Sequence, residues 1–349
     1  MKISKKIDIK IKAKINKLIT ENRRPYNITQ IENIFSFASS PKILLLRHDK
    51  IGDLIVSTSF VRILRKKYPN AQIDILLSKY NISAKKCVEQ YISNFWIYTK
   101  KITETIKILR QLRLEKYDLV IDLFDNPSVT SGFIIKYTKP TFALGIDKKN
   151  SIIYDYTVPM LDRFASSIVE RIANLLIVFG INPKNENLDL EYNTEIERQK
   201  NTKFRFGINL AGSTESRFWG EENNAKLIEY LKEKYPDAEI RVFATGQYIE
   251  TAKNLNSKLG NLIIDNCKNF DEFAYEVSLC NFIISPDTSI VHLASAYKIP
   301  SVILYIRKPE MNHLPWYPFN SPYIALETPS DTIEDISINQ VKESIEKLM

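Results

Sequence analysis

The feature that most restricts the fold of this chain is an alternation, run through twice, of short continuous apolar runs with segments of helical periodicity. Ile43–Leu46 is apolar at every position, as a strand covered on both faces must be. A helix is expected from about Leu54 to Lys67, with Val56, Phe60, Val61 and Leu64 inward and Tyr68-Pro69-Asn70 ending it. Ile73–Leu77, Tyr117–Leu123 and Phe142–Gly145 read as further strands, and a helix near Ser166–Phe179 stops at Gly180. After the polar stretch Asn182–Asn187 the pattern restarts. Strands are expected at Phe206–Leu210, Glu239–Ala244, Leu262–Ile264, Asn281–Ile284 and Val302–Ile306. Helices are expected at Asn224–Lys234, Ile249–Leu259 and near Phe270–Leu279, with one more following Asp287. Such alternation specifies parallel α/β sheets.

At 349 residues the chain exceeds one comfortable core, so two domains of about 150 residues each are expected. The expected division is 1–40 as a basic N-terminal extension, 41–180 and 181–330 as two α/β domains, and 331–349 as a C-terminal helix packing back across the junction. The charge is concentrated at the start. Residues 1–40 hold nine Lys/Arg against three Asp/Glu, a balance of +6, whereas the remainder is nearly neutral. A nucleic-acid-binding body is therefore not indicated. Ile7, Ile9, Ile11 and Ile15 alternate as in a strand, while Ile7, Ile11, Ile15 and Leu18 also share a helical face, so periodicity leaves both open. A basic amphipathic segment of this kind suits an anionic lipid surface, and an extension packed on the domain is the alternative.

Several chemistries are excluded. No Gly-x-Gly occurs among the nine glycines, so the dinucleotide fingerprint is missing. No P-loop and no Gly-x-Ser-x-Gly elbow exist. Cys87, Cys267 and Cys280 are scattered, and no Asp-x-Asp is present to hold a divalent ion. No metal and no cofactor are expected. With no secretory-type apolar stretch at the start and no run of about 18 apolar residues, the expected location is cytoplasmic.

Two stretches carry the chemistry that remains. Arg47-His48-Asp49-Lys50-Ile51-Gly52-Asp53 follows the first buried strand and opens a helix. Gly52 suits a tight turn with close ligand approach. Asp53 then lies at the carboxyl edge of the sheet, where open α/β folds bind ligands, and either a general base or a helix cap fits that place. The second stretch, Ser285-Pro286-Asp287-Thr288-Ser289, links a strand to an apolar-periodic helix, so backbone N–H groups point outward and offer a diphosphate site. Between them, Leu210–Trp219 supplies small residues and Arg217, suited to a charge-assisted bond with a diphosphate or to a plain surface loop. Glu250 follows Thr245-Gly246 and fits ribose hydroxyls or simple solvation; His292 fits the site or helix packing.

Together these segments resemble glycosyltransferase family 9, the ADP-heptose:lipopolysaccharide heptosyltransferases. The resemblance rests on Arg47…Ile51-Gly52-Asp53 with Leu64–Ala71 downstream, on Gly246 and Glu250, and on Asp287-Thr288…His292-Leu293…Ala296 with Pro300 before the next strand. It spans about residues 42–306. Ser289 stands where the family usually has Gly, and Val56-Ser57-Thr58-Ser59 lacks the Pro often found there. The resemblance implies a GT-B fold, two Rossmann-like doubly wound domains facing across a cleft. It implies inverting transfer of heptose from an ADP-heptose donor to a lipid-linked Kdo or heptose acceptor of the inner-core lipopolysaccharide or lipooligosaccharide, at the cytoplasmic face of the inner membrane. Asp53 would be the base; Ser213, Arg217, Glu250, Asp287, Thr288, Ser289 and His292 would hold the donor; Arg47 and Lys50 would face the acceptor. A different nucleotide sugar, or a non-catalytic binding subunit of the same fold, are the alternatives.

Overall fold

A computed structural model describes residues 24–37, 40–194, 203–210, 212, 214–265 and 267–349. The chain divides into two compact units, Met1–Leu188 and Asp189–Met349. The expectations placed on residues 1–23 lie outside the described residues.

The first unit is a seven-stranded sheet in the order β1-β7-β6-β5-β2-β3-β4. Its strands are β1 (Tyr26–Asn27), β2 (Lys42–Leu46), β3 (Gln72–Ser78), β4 (Asn94–Tyr98), β5 (Leu119–Asp122), β6 (Phe142–Ile146) and β7 (Tyr156–Val158). All pairings are parallel. β2 is central, with Ile43 in register with Ile73 on one side and Leu119 on the other. That position explains its unbroken apolar run: Leu44 and Leu46 meet Ile108, Leu109, Leu112, Ile134 and Ile135 from two helices, Ile102–Glu115 and Val129–Thr138.

Part of the segment expected as an extension belongs to this unit. β1 adds to the sheet edge beside β7, and Phe35 is buried among the rings of Phe142, Tyr156 and Phe179 at 5.4–5.8 Å. The helix expected over Leu54–Lys67 is two pieces, Ile51–Ile55 and Thr58–Lys67. The break falls where Ser57 Oγ and Thr58 Oγ1 donate to the carbonyls of Asp53 and Ile55, both at 2.9 Å. Hydroxyl side chains competing for backbone carbonyls interrupt helices in this way. Gly52 does not make a turn of its own; it is the second residue of the first piece.

The second unit is a six-stranded parallel sheet, β10-β9-β8-β11-β12-β13. Its strands are β8 (Arg205–Asn209), β9 (Glu239–Phe243), β10 (Leu262–Asp265), β11 (Phe282–Pro286), β12 (Ser301–Ile306) and β13 (Tyr323–Thr328). One core gathers Phe206, Ile208, Leu227, Leu231, Val242, Leu255, Val302 and Leu304. The C-terminal helix, Ile338–Leu348, begins at a reciprocal Ser337/Gln340 cap and puts Val341 and Ile345 into this same core. Its apolar face is thus taken up by the second unit.

Candidate active site

In an open parallel sheet, ligands bind beyond the carboxyl ends of the two strands where the chain order reverses direction. In the first sheet that point lies between β2 and β5, because β3 and β4 follow on one side while β5, β6 and β7 run out on the other. The loop Arg47–Lys50 leaves β2 there, and Leu123–Asp125 leaves β5. The two Rossmann-like halves share the logic. In the second sheet the reversal lies between β8 and β11, from which the loops of Arg217 and of Asp287-Thr288 emerge.

At the first point Arg47 is the organiser. It is 1% exposed, and its guanidinium donates from Nε to the Asp53 carbonyl (2.7 Å) and from Nη1 to the Leu123 carbonyl (2.8 Å). It therefore joins the loops after β2 and β5. Two carboxylates approach it: Asp49 Oδ2 at 3.4 Å from Nη1 and Asp53 Oδ1 at 3.7 Å from Nη2. Ser78 Oγ donates to the Asp49 carbonyl (2.8 Å) and Asn81 Nδ2 to the Arg47 carbonyl (2.7 Å), fixing the loop from the β3 side. Asp53 is the third residue of the helix Ile51–Ile55, and its Oδ2 accepts from the Lys50 backbone N–H at 3.3 Å. One oxygen caps the helix start while the other faces Arg47. Arg47, expected toward an acceptor, is buried, with Nε and Nη1 on backbone carbonyls; Lys50 lies at the exposed rim.

Burial pushes the Asp49 carboxyl well above the usual carboxylate range; Arg47 opposes this and the neighbouring Asp53 carboxylate adds to it. Burial likewise lowers His48 to about 4, against the pull of Asp122 and with the push of Arg47. The His48 ring packs on Phe124 (4.8 Å) and Tyr98 (5.5 Å). Arg47 Nη2, His48 Nδ1 and Asp49 Oδ1 are buried with no hydrogen-bond partner, three polar atoms in one turn of chain.

A second layer escaped the sequence expectations. Asp122, fully buried at the end of β5, accepts from Tyr154 Oη (2.5 Å), Lys148 Nζ (3.1 Å) and Ser131 Oγ (3.2 Å). Lys148 also donates to the Phe124 carbonyl, and burial lowers its pKa although Asp122 draws it up. Asp125 takes Arg171 Nε at 3.2 Å, with Arg163 Nη2 at 3.7 Å. The signal for Asp122 was present, a carboxylate closing a buried strand. Lys148 stands among ordinary loop residues and has none.

In the second unit, Arg217 donates from Nη1 to the Asp287 carbonyl (2.7 Å) and pairs through Nη2 with the Asp287 carboxylate (2.7 Å). Gly212 makes this possible: a Cβ there would stand 2.9 Å from Arg217 Cδ and 3.2 Å from Thr288 Cγ2. Asn209 Nδ2 donates to Ser285 Oγ (2.9 Å) and Thr288 Oγ1 (3.2 Å), stitching β8 to β11. Thr288 caps the helix Ser289–Tyr297, its Oγ1 accepting from the Ile290 N–H. Arg217, Asp287, Thr288 and Ser289 thus form one cluster. His292, one turn on, is 4% exposed beside Trp316. Glu250 stands apart, exposed in the first turn of the helix Tyr248–Leu259 and paired with Lys253 at 3.3 Å; the start of that helix meets the Arg217 loop through the Phe218–Tyr248 ring contact at 4.9 Å. Ser213 lies outside the described residues.

The model of glycosyltransferase family 9 (heptosyltransferase) matches residues 105–334, and the chain belongs to that family. It is 26% identical over 337 residues to the putative lipopolysaccharide heptosyltransferase 4 of Escherichia coli K12, covering 91% of this chain and 90% of that one. Among solved structures it is similar to the E. coli heptosyltransferase WaaC with ADP (TM-score 0.72, 16% identity, 88% of this chain and 100% of that one). The same enzyme with ADP-2-deoxy-2-fluoro heptose also matches with a TM-score of 0.72, at 16% identity over 88% of this chain and 99% of that one. The shared fold is GT-B, here as seven- and six-stranded parallel sheets.

Proposed function

We propose that this protein is an inverting heptosyltransferase that moves a heptose from ADP-heptose to an inner-core lipopolysaccharide or lipooligosaccharide acceptor. The observation that carries the reading is the coincidence of each family motif with the strand-order reversal of its own sheet. The first unit then takes the acceptor and the second the nucleotide sugar. WaaC holds ADP in one structure and ADP-2-deoxy-2-fluoro heptose in the other, which supports that donor class.

In this mechanism Asp53 removes the proton of an acceptor hydroxyl as the oxygen attacks the anomeric carbon, and ADP leaves from the opposite face. Its capping bond to Lys50 and the Arg47 guanidinium fix the carboxylate direction, so Arg47 is a positioning residue. Lys50, at the rim, faces the acceptor. Diphosphate is a good leaving group, so the second unit has mainly to stabilise growing negative charge. Arg217 and the N–H groups opening the helix at Ser289 do so electrostatically. Asp287 acts through Arg217, holding the guanidinium by two contacts; a carboxylate directly against a diphosphate would repel it. Glu250 would receive the ribose hydroxyls, and buried His292 supports the helix carrying Thr288.

Titration calorimetry with ADP, GDP and UDP, followed by mass analysis of a deacylated acceptor incubated with ADP-heptose, tests the reading. ADP should bind tightest and the acceptor should gain one heptose. Tighter binding of UDP or GDP would point to another donor.

A further inference from the structure

The helix Ile102–Glu115 joins β4 to β5 and buries only Ile108, Leu109 and Leu112. Its outward face is unusual. Ile102 and Leu114 are 77% and 79% exposed, and Ile106 is 43% exposed. At about 100° per residue, the outward arc runs Ile102, Arg113, Ile106, Arg110, Thr103, Leu114 and Lys107, within about 140°. That arc holds three aliphatic side chains and three cations, and no carboxylate. The helix's two acids lie on the other flank and are paired, Glu104 with Lys101 (3.0 Å) and Glu115 with Lys42 (2.9 Å).

The neighbouring helix, Val129–Thr138, extends the surface. It has no acidic residue, shares the core beneath through Ile134 and Ile135, and leaves Phe133 41% exposed. Arg113 bridges the two helices, its guanidinium 5.8 Å from the Tyr137 ring and donating to the Tyr137 carbonyl at 3.5 Å.

We propose that this two-helix face of the first unit docks on an anionic lipid surface. Aliphatic tips set among Lys and Arg, whose long stems lie along apolar surface while their charges reach the headgroups, match the boundary of a bilayer. The absence of carboxylates from the arc gives the charge complementarity. The surface also lies near the candidate catalytic edge. Tyr98, the last residue of β4, touches the His48 ring, and the docking helix starts four residues later. Docking therefore holds the Asp53 edge near a lipid-anchored acceptor, whichever sugar nucleotide is the donor.

The test is flotation of the full chain with vesicles of phosphatidylglycerol and phosphatidylethanolamine, against phosphatidylcholine vesicles and across a salt series. The wild type should bind the anionic vesicles, more weakly at high salt. Lys107→Gln with Arg110→Gln should lower the partition coefficient roughly 30-fold, from about 1 kcal/mol per cation. Ile102→Ser with Leu114→Ser should lower it roughly tenfold or more. All four side chains are exposed, so thermal melting should be unchanged, and ADP binding by calorimetry should be unchanged too. That separates failure here from failure of the donor assignment. The proposal falls if the wild type ignores anionic vesicles or if both double variants bind as well as wild type. It falls equally if binding is lost only on deleting residues 1–23. Self-association abolished by the same substitutions would assign the face to a second copy, and binding to soluble polyglutamate but to no vesicle would assign it to an acidic protein; either result overturns a lipid surface.

Discussion

The two strand-order reversals are built differently. At the first, Arg47, Asp49 and Asp53 and the Asp122–Lys148 pair are tied into the fold, and burial moves the proton affinities of His48, Asp49 and Lys148 away from their ordinary values. At the second, Arg217 and Asp287 keep 35% and 28% of their side-chain surface, and the cluster rests on their ion pair, the bonds of Asn209 and a helix start. A site that must take a proton from a weakly acidic hydroxyl needs a carboxylate of fixed direction in a partly dry setting. A site that must grip and release a diphosphate needs charge and N–H donors within reach of solvent. Under the proposed function, the difference matches acid–base work at the first edge and anion binding at the second.

The sharpest break of that comparison is at Asp53. Asp53→Asn should keep the fold and ADP binding but lower kcat by about 10²–10⁴-fold, the usual worth of a general base. Turnover within a factor of three of wild type would remove acid–base work from the first edge.

The next effect is on stability. Asp122→Ala leaves Tyr154 buried without its acceptor and Lys148 buried without its counter-charge, and breaking a buried pair costs about 3–5 kcal/mol. Asp287→Ala, at the half-exposed second edge, should cost about 1 kcal/mol or less. Urea denaturation of both variants compares the edges directly; equal losses would contradict the difference in burial.

A third test uses pH. His48 has its pKa lowered in the folded protein, so between about 6.5 and about 4 the unfolded chain binds a proton that the folded one refuses. Stability should therefore fall as pH falls through that window, by about 3 kcal/mol in full. Asp49 has the opposite sign: its raised pKa makes the folded state hold a proton more tightly, a contribution present at low pH and lost as pH rises through its folded value. His48→Gln should flatten the acid limb of the stability profile, whereas Asp49→Asn should gain on wild type as pH rises. Parallel profiles for wild type and His48→Gln would mean that His48 is not held neutral by burial.

Much of this was legible beforehand, and the failures have physical causes. Ile43–Leu46 and Phe282–Ile284 are central strands covered on both faces, so their apolar runs announced them. β4 and β13 went unseen because most of their positions stay partly exposed and carry mixed sequences such as Asn94-Phe95-Trp96-Ile97-Tyr98, whereas the edge strand β10 announced itself by the apolar run Leu262-Ile263-Ile264. The helix Ile102–Glu115 was hidden by its exposed aliphatics, which blur an inward stripe. At the site, chain-local motifs such as Arg47–Asp53 could be read, since the helix start and the strand end are adjacent in sequence. Lys148 could not, because 26 residues separate it from Asp122 and only sheet register brings them together. Arg47 shows what the motif alone does not carry: a cation beside it invites a ligand, and only the fold reveals that its side chain is buried with Nε and Nη1 on two backbone carbonyls.

The smallest effect sharpens the second edge. Arg217→Ala should weaken ADP binding by roughly 1.5–3 kcal/mol, the range for a hydrogen bond to a charged group. Asp287→Asn should weaken it less, by about 1 kcal/mol or under, because the Asp287 carbonyl still accepts from Nη1 at 2.7 Å and only the carboxylate contact is lost. The double variant should then resemble Arg217→Ala alone, since an aspartate that acts only by holding an arginine has nothing left to hold. Calorimetric titration of ADP into the three variants gives the cycle directly. Additive losses would mean that Asp287 meets the donor by itself, and an unchanged dissociation constant in Arg217→Ala would move the diphosphate away from this loop altogether.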